Sequence, residues 1–145
     1  MFKLLNLRDV EFVAHALAEE LLAWNEPIPP FRTRFPEKLE SCLATISQSF
    51  DGKELYPTLT EKTAILFYLM VKNHPFQNGN KRIAVTTALV FLRRNGKWLK
   101  VDEQRLYNFA VWVAKSPPEL KDSVVVGIGD FINKTMVDSA DKDGG

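Results

Sequence analysis

One nine-residue stretch, His74 to Arg82, holds most of what could do chemistry in this 145-residue chain. It reads HPFQNGNKR and combines an imidazole, a phenyl ring, three carboxamides, a glycine and two cations. An imidazole can take a proton from a hydroxyl near neutral pH. Asn78-Gly79 makes a tight turn, and Gly79 permits positive φ and a close approach of the backbone. A helix starting at about Asn80 would place unpaired amides and the positive end of its dipole at the same spot. Lys81 and Arg82 add two charges there, the wrong sign for helix stability and the right sign for an anion. Arg82 can also meet a phosphate bidentately, which a lysine cannot do. These residues support a phosphate held by Gly79, Asn80, Lys81 and Arg82, with His74 beside it as a general base. Phe76 reads as an anchor that plugs into the core and fixes the loop.

The elements that must position this loop flank it directly. Thr63 to Val71 and Ile83 to Leu92 are apolar almost all the way round, the pattern of helices in a domain centre. Both fall far short of the roughly 20 apolar residues a membrane span needs. Pro75 disfavours helical geometry at His74, so the first helix should stop there and leave the imidazole at a rim. Thr58 and Glu61 form a T-x-x-E start signal for that helix. Gly96 suits the position just past the end of the second, whose last turn carries Arg93 and Arg94.

The rest of the chain reads as further helices. Asn6 and Asp9 open one that runs to about Trp24, with Val10, Val13, Leu17, Leu21 and Trp24 as its apolar stripe. His15 in this helix reads as structural or exposed. Asn25 to Pro36 carries four prolines and is a loop. A helix from Pro36 to about Ser47 follows, and Cys42 on its inner face reads as a small buried hydrophobe. Asp51-Gly52 is a turn signal between two possible short strands. Asp102 caps another helix, and Leu120 to Met136 has the spacing of a last one. The expectation is an all-α bundle of about six helices with a possible small β-hairpin. It forms one domain over residues 1–135, followed by a flexible tail over 136–145.

Composition narrows the function classes. A net charge of +1 leaves no footprint for direct nucleic-acid binding. One cysteine excludes an internal disulfide and a zinc site built from several thiolates. The start, MFKLLNLRD, is too short in its apolar part for a signal peptide, which gives a cytoplasmic, non-membrane expectation.

HPFQNGNKR resembles the H-x-F-x-(D/E/N)-(G/A)-N-(G/K)-R signature of the Fic/Doc family at all seven defined positions. FLRRNG, residues 91–96, is similar to the segment that follows the signature in Doc (death-on-curing) proteins. The resemblance implies a Fic-fold bundle whose hairpin is a flap that aligns a target chain. It implies nucleotide phosphates on Gly79, Asn80, Lys81 and Arg82, His74 as the base, and Asn78 where many relatives place a carboxylate for Mg²⁺. Fic adenylyltransferases have glycine where this chain has Lys81, and a second arginine where it has Val85. Lysine is the Doc pattern, in which the γ-phosphate meets the target hydroxyl. The implied activity is that of a toxin moving the γ-phosphate of ATP, with Mg²⁺, to a serine or threonine of a translation factor such as elongation factor Tu. Fic-type adenylyl transfer and a catalytically silent binding module are the alternatives. The chain lacks the family's (S/T)-x-x-x-E-(G/N) inhibitory motif, so the resemblance implies restraint by a separate antitoxin protein.

Overall fold

Two helices with no polar face occupy the centre of the molecule. The computed structural model describes residues 2–21 and 24–139. Taken in order, the helices are α1 (Leu7–Asp9), α2 (Ala16–Leu21), α3 (Pro36–Thr45), α4 (Leu59–Lys72), α5 (Asn80–Arg94), α6 (Glu103–Lys115) and α7 (Lys121–Thr135). A π-helical segment, Val10–His15, joins α1 to α2, so the stretch 7–21 is one continuous helical element. Counted that way, the described residues form a six-helix bundle. Every residue from Lys62 to Val71 in α4, and from Ile83 to Leu92 in α5, is buried. These two helices pack on each other, with α3, α6, α7 and the π segment around them.

Several buried polar groups in the two central helices are paired. The hydroxyls of Thr63, Thr86 and Thr87 each donate to the carbonyl one turn back, at 2.7–2.9 Å. Lys62 is 3% exposed, and its Nζ donates to the Ile46 carbonyl and to Glu54 Oε1, both at 3.0 Å. Glu54 belongs to a small hairpin of β1 (Ser49–Phe50) and β2 (Lys53–Glu54). Its turn residues, Asp51 and Gly52, both have positive φ, the signature of a two-residue hairpin turn. Lys62 therefore ties the hairpin and the end of α3 to the central helix.

Local start signals hold. Thr58 accepts from the Glu61 amide at the start of α4, and Asp102 accepts from the Arg105 amide at the start of α6. Asn6 and Asp9 form a reciprocal capping box. The inward face beyond it differs from the expected stripe. Val10, Ala14 and Ala18 are buried, whereas Leu17 is 37% exposed. The wider π turn favours a spacing of four over a mixture of three and four, which rotates Leu17 outward. Trp24 lies outside the helix, and the side chains of Val13 and Leu21 lie outside the described residues. A second difference is at the C-terminus. Met136–Asp138, placed in the tail on sequence, is strand β4 and pairs antiparallel with β3 (Lys97–Leu99). Residues 140–145 lie outside the described residues. Cys42 is buried, as expected, and burial pushes its thiol up to about 11, so it is protonated and inert at neutral pH.

Asp9 also makes an ion pair with Arg94 at 2.7 Å, joining the first helical element to the end of α5. Burial pushes the Asp9 carboxyl up, but the Asn6 amide and the Arg94 guanidinium outweigh it and hold it below its ordinary value of 3.8. A carboxyl more acidic in the folded than in the unfolded chain stabilises the fold above the ordinary value. That contribution is lost as pH falls through the lower, folded value. Asp9→Asn is expected to lower the Tm at neutral pH, and the gap to wild type to close as pH falls through the folded value of Asp9. Melting curves across that range check this, and a Tm gap that persists in acid would refute the coupling.

Candidate active site

The loop between α4 and α5 begins with an unusual backbone. Asn73 caps α4, its amide donating to the Leu69 carbonyl, and His74 follows with φ +49°. A left-handed residue commonly closes a helix at this place, but it is usually glycine. Pro75 closes the right-handed alternative to His74. Non-glycine residues held this way cluster at functional sites. The His74 side chain is exposed, while Pro75 and Phe76 are buried.

Phe76 is 1% exposed and fills the expected anchor position. Its ring lies 5.8 Å from His15 and 5.9 Å from Phe31, and His15 and Phe31 meet edge to face at 5.3 Å. His15 is buried, and its Nε2 donates to the Pro29 carbonyl at 2.9 Å. The lone histidine of the first helical stretch is thus part of the floor under the loop. Arg34 lies over the Phe31 ring at 4.5 Å, and the Phe35 amide donates to the Pro75 carbonyl at 2.8 Å.

Asn80 clamps the loop from the other side. Its Oδ1 accepts from the Phe76 amide at 3.0 Å and its Nδ2 donates to the Phe76 carbonyl at 2.8 Å. This pair of bonds fixes which end of the carboxamide is which. Nδ2 therefore faces His74 Nδ1, at 3.4 Å. The contact is long and weak, but it makes Nδ1 the acceptor and leaves the proton on Nε2. Asn80, expected to touch phosphate, holds the loop backbone and faces the imidazole.

The remaining expected phosphate residues are brought together, and a segment of the chain lies on them. Gly79 has φ +70° at the start of α5. A Cβ there would lie 2.8 Å from both the Pro27 carbonyl oxygen and Ile28 Cδ1. Lys81 Nζ is 2.8 Å from Glu26 Oε2. Arg82 donates from Nη1 to the Glu26 carbonyl and from Nη2 to the Glu19 carbonyl, both at 2.9 Å. The positive end of α5 and both its cations thus face Glu26, Pro27 and Ile28. Nothing local in the sequence pointed to Glu26, whose bond with Arg82 spans 56 residues.

Asn78, the expected metal ligand, is exposed, and its Oδ1 accepts from the next amide, that of Gly79, at 2.7 Å. Among the described residues no three His, Cys, Asp or Glu side chains come together to hold a metal ion. Toward a metal, Asn78 offers one neutral carboxamide oxygen, and that oxygen already accepts from Gly79. The hairpin anchor Lys62 lies about 15 Å from the C-terminal end of α4, at 1.5 Å per residue. An open groove lined by Glu37, Lys38, Ser41 and Asn73 lies at the His74 end.

No described helix is long and apolar enough to cross a membrane. No solved structure gives a significant match. A 64-residue stretch is 36% identical to the Toxin Doc of Mycolicibacterium smegmatis, covering 44% of this chain and 49% of that protein. The match therefore spans about half the length of the relative. The family model described as Fic/DOC family matches residues 5–92, from before the first helix to the last buried turn of α5. The chain belongs to the Fic/Doc family.

Proposed function

We propose that this chain is a Doc-like toxin that transfers the γ-phosphate of ATP to a serine or threonine hydroxyl of a target protein. The observation that carries this is His74. Its ring is exposed at a strained, left-handed position and oriented by an asparagine that grips the loop on both sides. In the step, the hydroxyl oxygen bonds to the γ-phosphorus, the bridging P–O bond to the β-phosphate breaks, and ADP leaves. The hydroxyl proton goes to Nε2 of His74. For that the ring carries its own proton on Nδ1 and turns that N–H away from the Asn80 Nδ2 donor, giving up the 3.4 Å contact. Lys81 and Arg82 neutralise charge developing on the phosphoryl oxygens. Magnesium is proposed only as the counter-ion that ATP carries with it.

Lys81 and Val85, in place of a glycine and a second arginine, favour γ-phosphate over adenylyl transfer. The substrate class is a translation factor of the elongation factor Tu type, and the likeness to a protein named Toxin Doc supports an antitoxin partner and action in the cytoplasm. A catalytically silent module is the second reading, favoured by the engagement of Lys81 with Glu26 and of Arg82 with the Glu26 and Glu19 carbonyls. Incubation with lysate and ATP labelled at the α- or γ-phosphate separates the cases. The expected result is label in protein from the γ position alone. Label from the α position would mean adenylyl transfer, and none from either would leave the silent module.

A further inference from the structure

We propose that residues 24–29 form a strap that occupies the phosphate site, with the Glu26 carboxylate and the neighbouring carbonyls standing in for a bound anion. This rests on the phosphate reading of the α4–α5 loop and names the regulation of that same site. The strap is docked at both ends. The Trp24 ring meets Tyr107 of α6 edge to face at 5.1 Å, and the Pro29 carbonyl takes the His15 bond. Between them, three acceptors fall where phosphate oxygens are wanted. Glu26 Oε2 is on Lys81, the Glu26 carbonyl is on Arg82, and the Pro27 carbonyl is against Gly79. Ile28 closes the remaining approach to Gly79. A nucleotide phosphate and the strap cannot hold these groups together.

The contact is also imperfect in a way that suits release. Among the described residues four buried side-chain polar atoms lack a hydrogen bond, and three of them are Trp24 Nε1, Glu26 Oε2 and Arg82 Nε. Glu26 Oε2 is 2.8 Å from Lys81 Nζ, so an ion pair balances its charge. Buried polar groups that lack a hydrogen bond weaken whatever holds them. Arg82 Nε is a donor still waiting for an acceptor, and a phosphate oxygen is one. Prolines at 27, 29 and 30 keep the strap extended, so it can lift as a unit instead of recoiling into a helix.

If the strap masks the site for nine-tenths of the time, the apparent affinity for nucleotide falls about tenfold. The test is binding of a non-hydrolysable ATP analogue to the full chain by calorimetry, for wild type, Glu26→Ala and Glu26→Gln. In parallel, the Trp24 indole N–H resonance, assigned with Trp24→Phe, reports the strap. The expected result is about tenfold tighter binding by Glu26→Ala, a smaller gain for Glu26→Gln, and a ligand-induced shift of the Trp24 resonance in wild type. Equal affinities with an unmoved Trp24 signal would overturn the strap and leave the phosphate site standing. No binding by any variant, with the folds intact by circular dichroism, would overturn both.

Discussion

Replacing His74 with alanine is expected to lower γ-phosphate transfer by about 10²–10⁴-fold, the range seen for loss of a general base. The fold should survive. The ring is exposed and its one hydrogen bond is 3.4 Å long, so little packing is lost. Alanine at φ +49° bears a backbone strain similar to that already borne by histidine, so it adds about 1 kcal/mol at most. The loss should fall on kcat, because proton removal belongs to the transition state and not to nucleotide binding. Single-turnover transfer measured beside nucleotide affinity separates the two. A variant that transfers at the wild-type rate would remove His74 from the chemistry. A variant that binds nucleotide tenfold more weakly but turns over normally would make it a binding residue.

What the sequence made legible was local. Asn6 with Asp9, Thr58 with Glu61, and Asp102 with the Arg105 amide each act within three residues, and each is found. Asp51-Gly52 and Gly96 specify their own backbone geometry, so the hairpin turn and the end of α5 could be placed. The two central helices were legible because all-round apolarity has one solution in water. What was hidden depends on partners far along the chain. Lys97 meets Asp138 across 41 residues, which is why β4 looked like tail. Lys62 in an apolar helix has no local explanation until Ile46 and Glu54 arrive. The proline-rich stretch was recognisable as a loop, but no periodicity says that it lies over α5.

Asn80 shows how one residue of a motif takes on a second role in the fold. A carboxamide at a helix start beside two cations suits a phosphate. A polar connection between buried helices must also satisfy its own backbone groups. The Phe76 amide and carbonyl are buried, and Asn80 is the side chain that reaches both. The same residue can still assist an anion indirectly, by holding Gly79 and the first turn of α5 in place. A loop that binds its own backbone first presents a rigid surface to a ligand, which lowers the ordering cost of binding.

Phe76→Ala should therefore be the most damaging single change to this loop. The ring is 1% exposed and packs in a cluster with His15 and Phe31. Truncating a buried phenylalanine to alanine costs about 3–5 kcal/mol, from lost transfer energy plus the cavity left behind. For a chain of this size that lowers the Tm by roughly 10–15 °C. Thermal unfolding followed by circular dichroism measures it. The neighbouring Gln77 is exposed, and Gln77→Ala should stay within about 0.5 kcal/mol of wild type. Well below the Tm, Phe76→Ala should still lose transfer, because the Asn80 clamp grips a backbone that no longer has an anchor. An unchanged Tm would mean that the ring does not hold the loop, and the orientation of His74 would then need another cause.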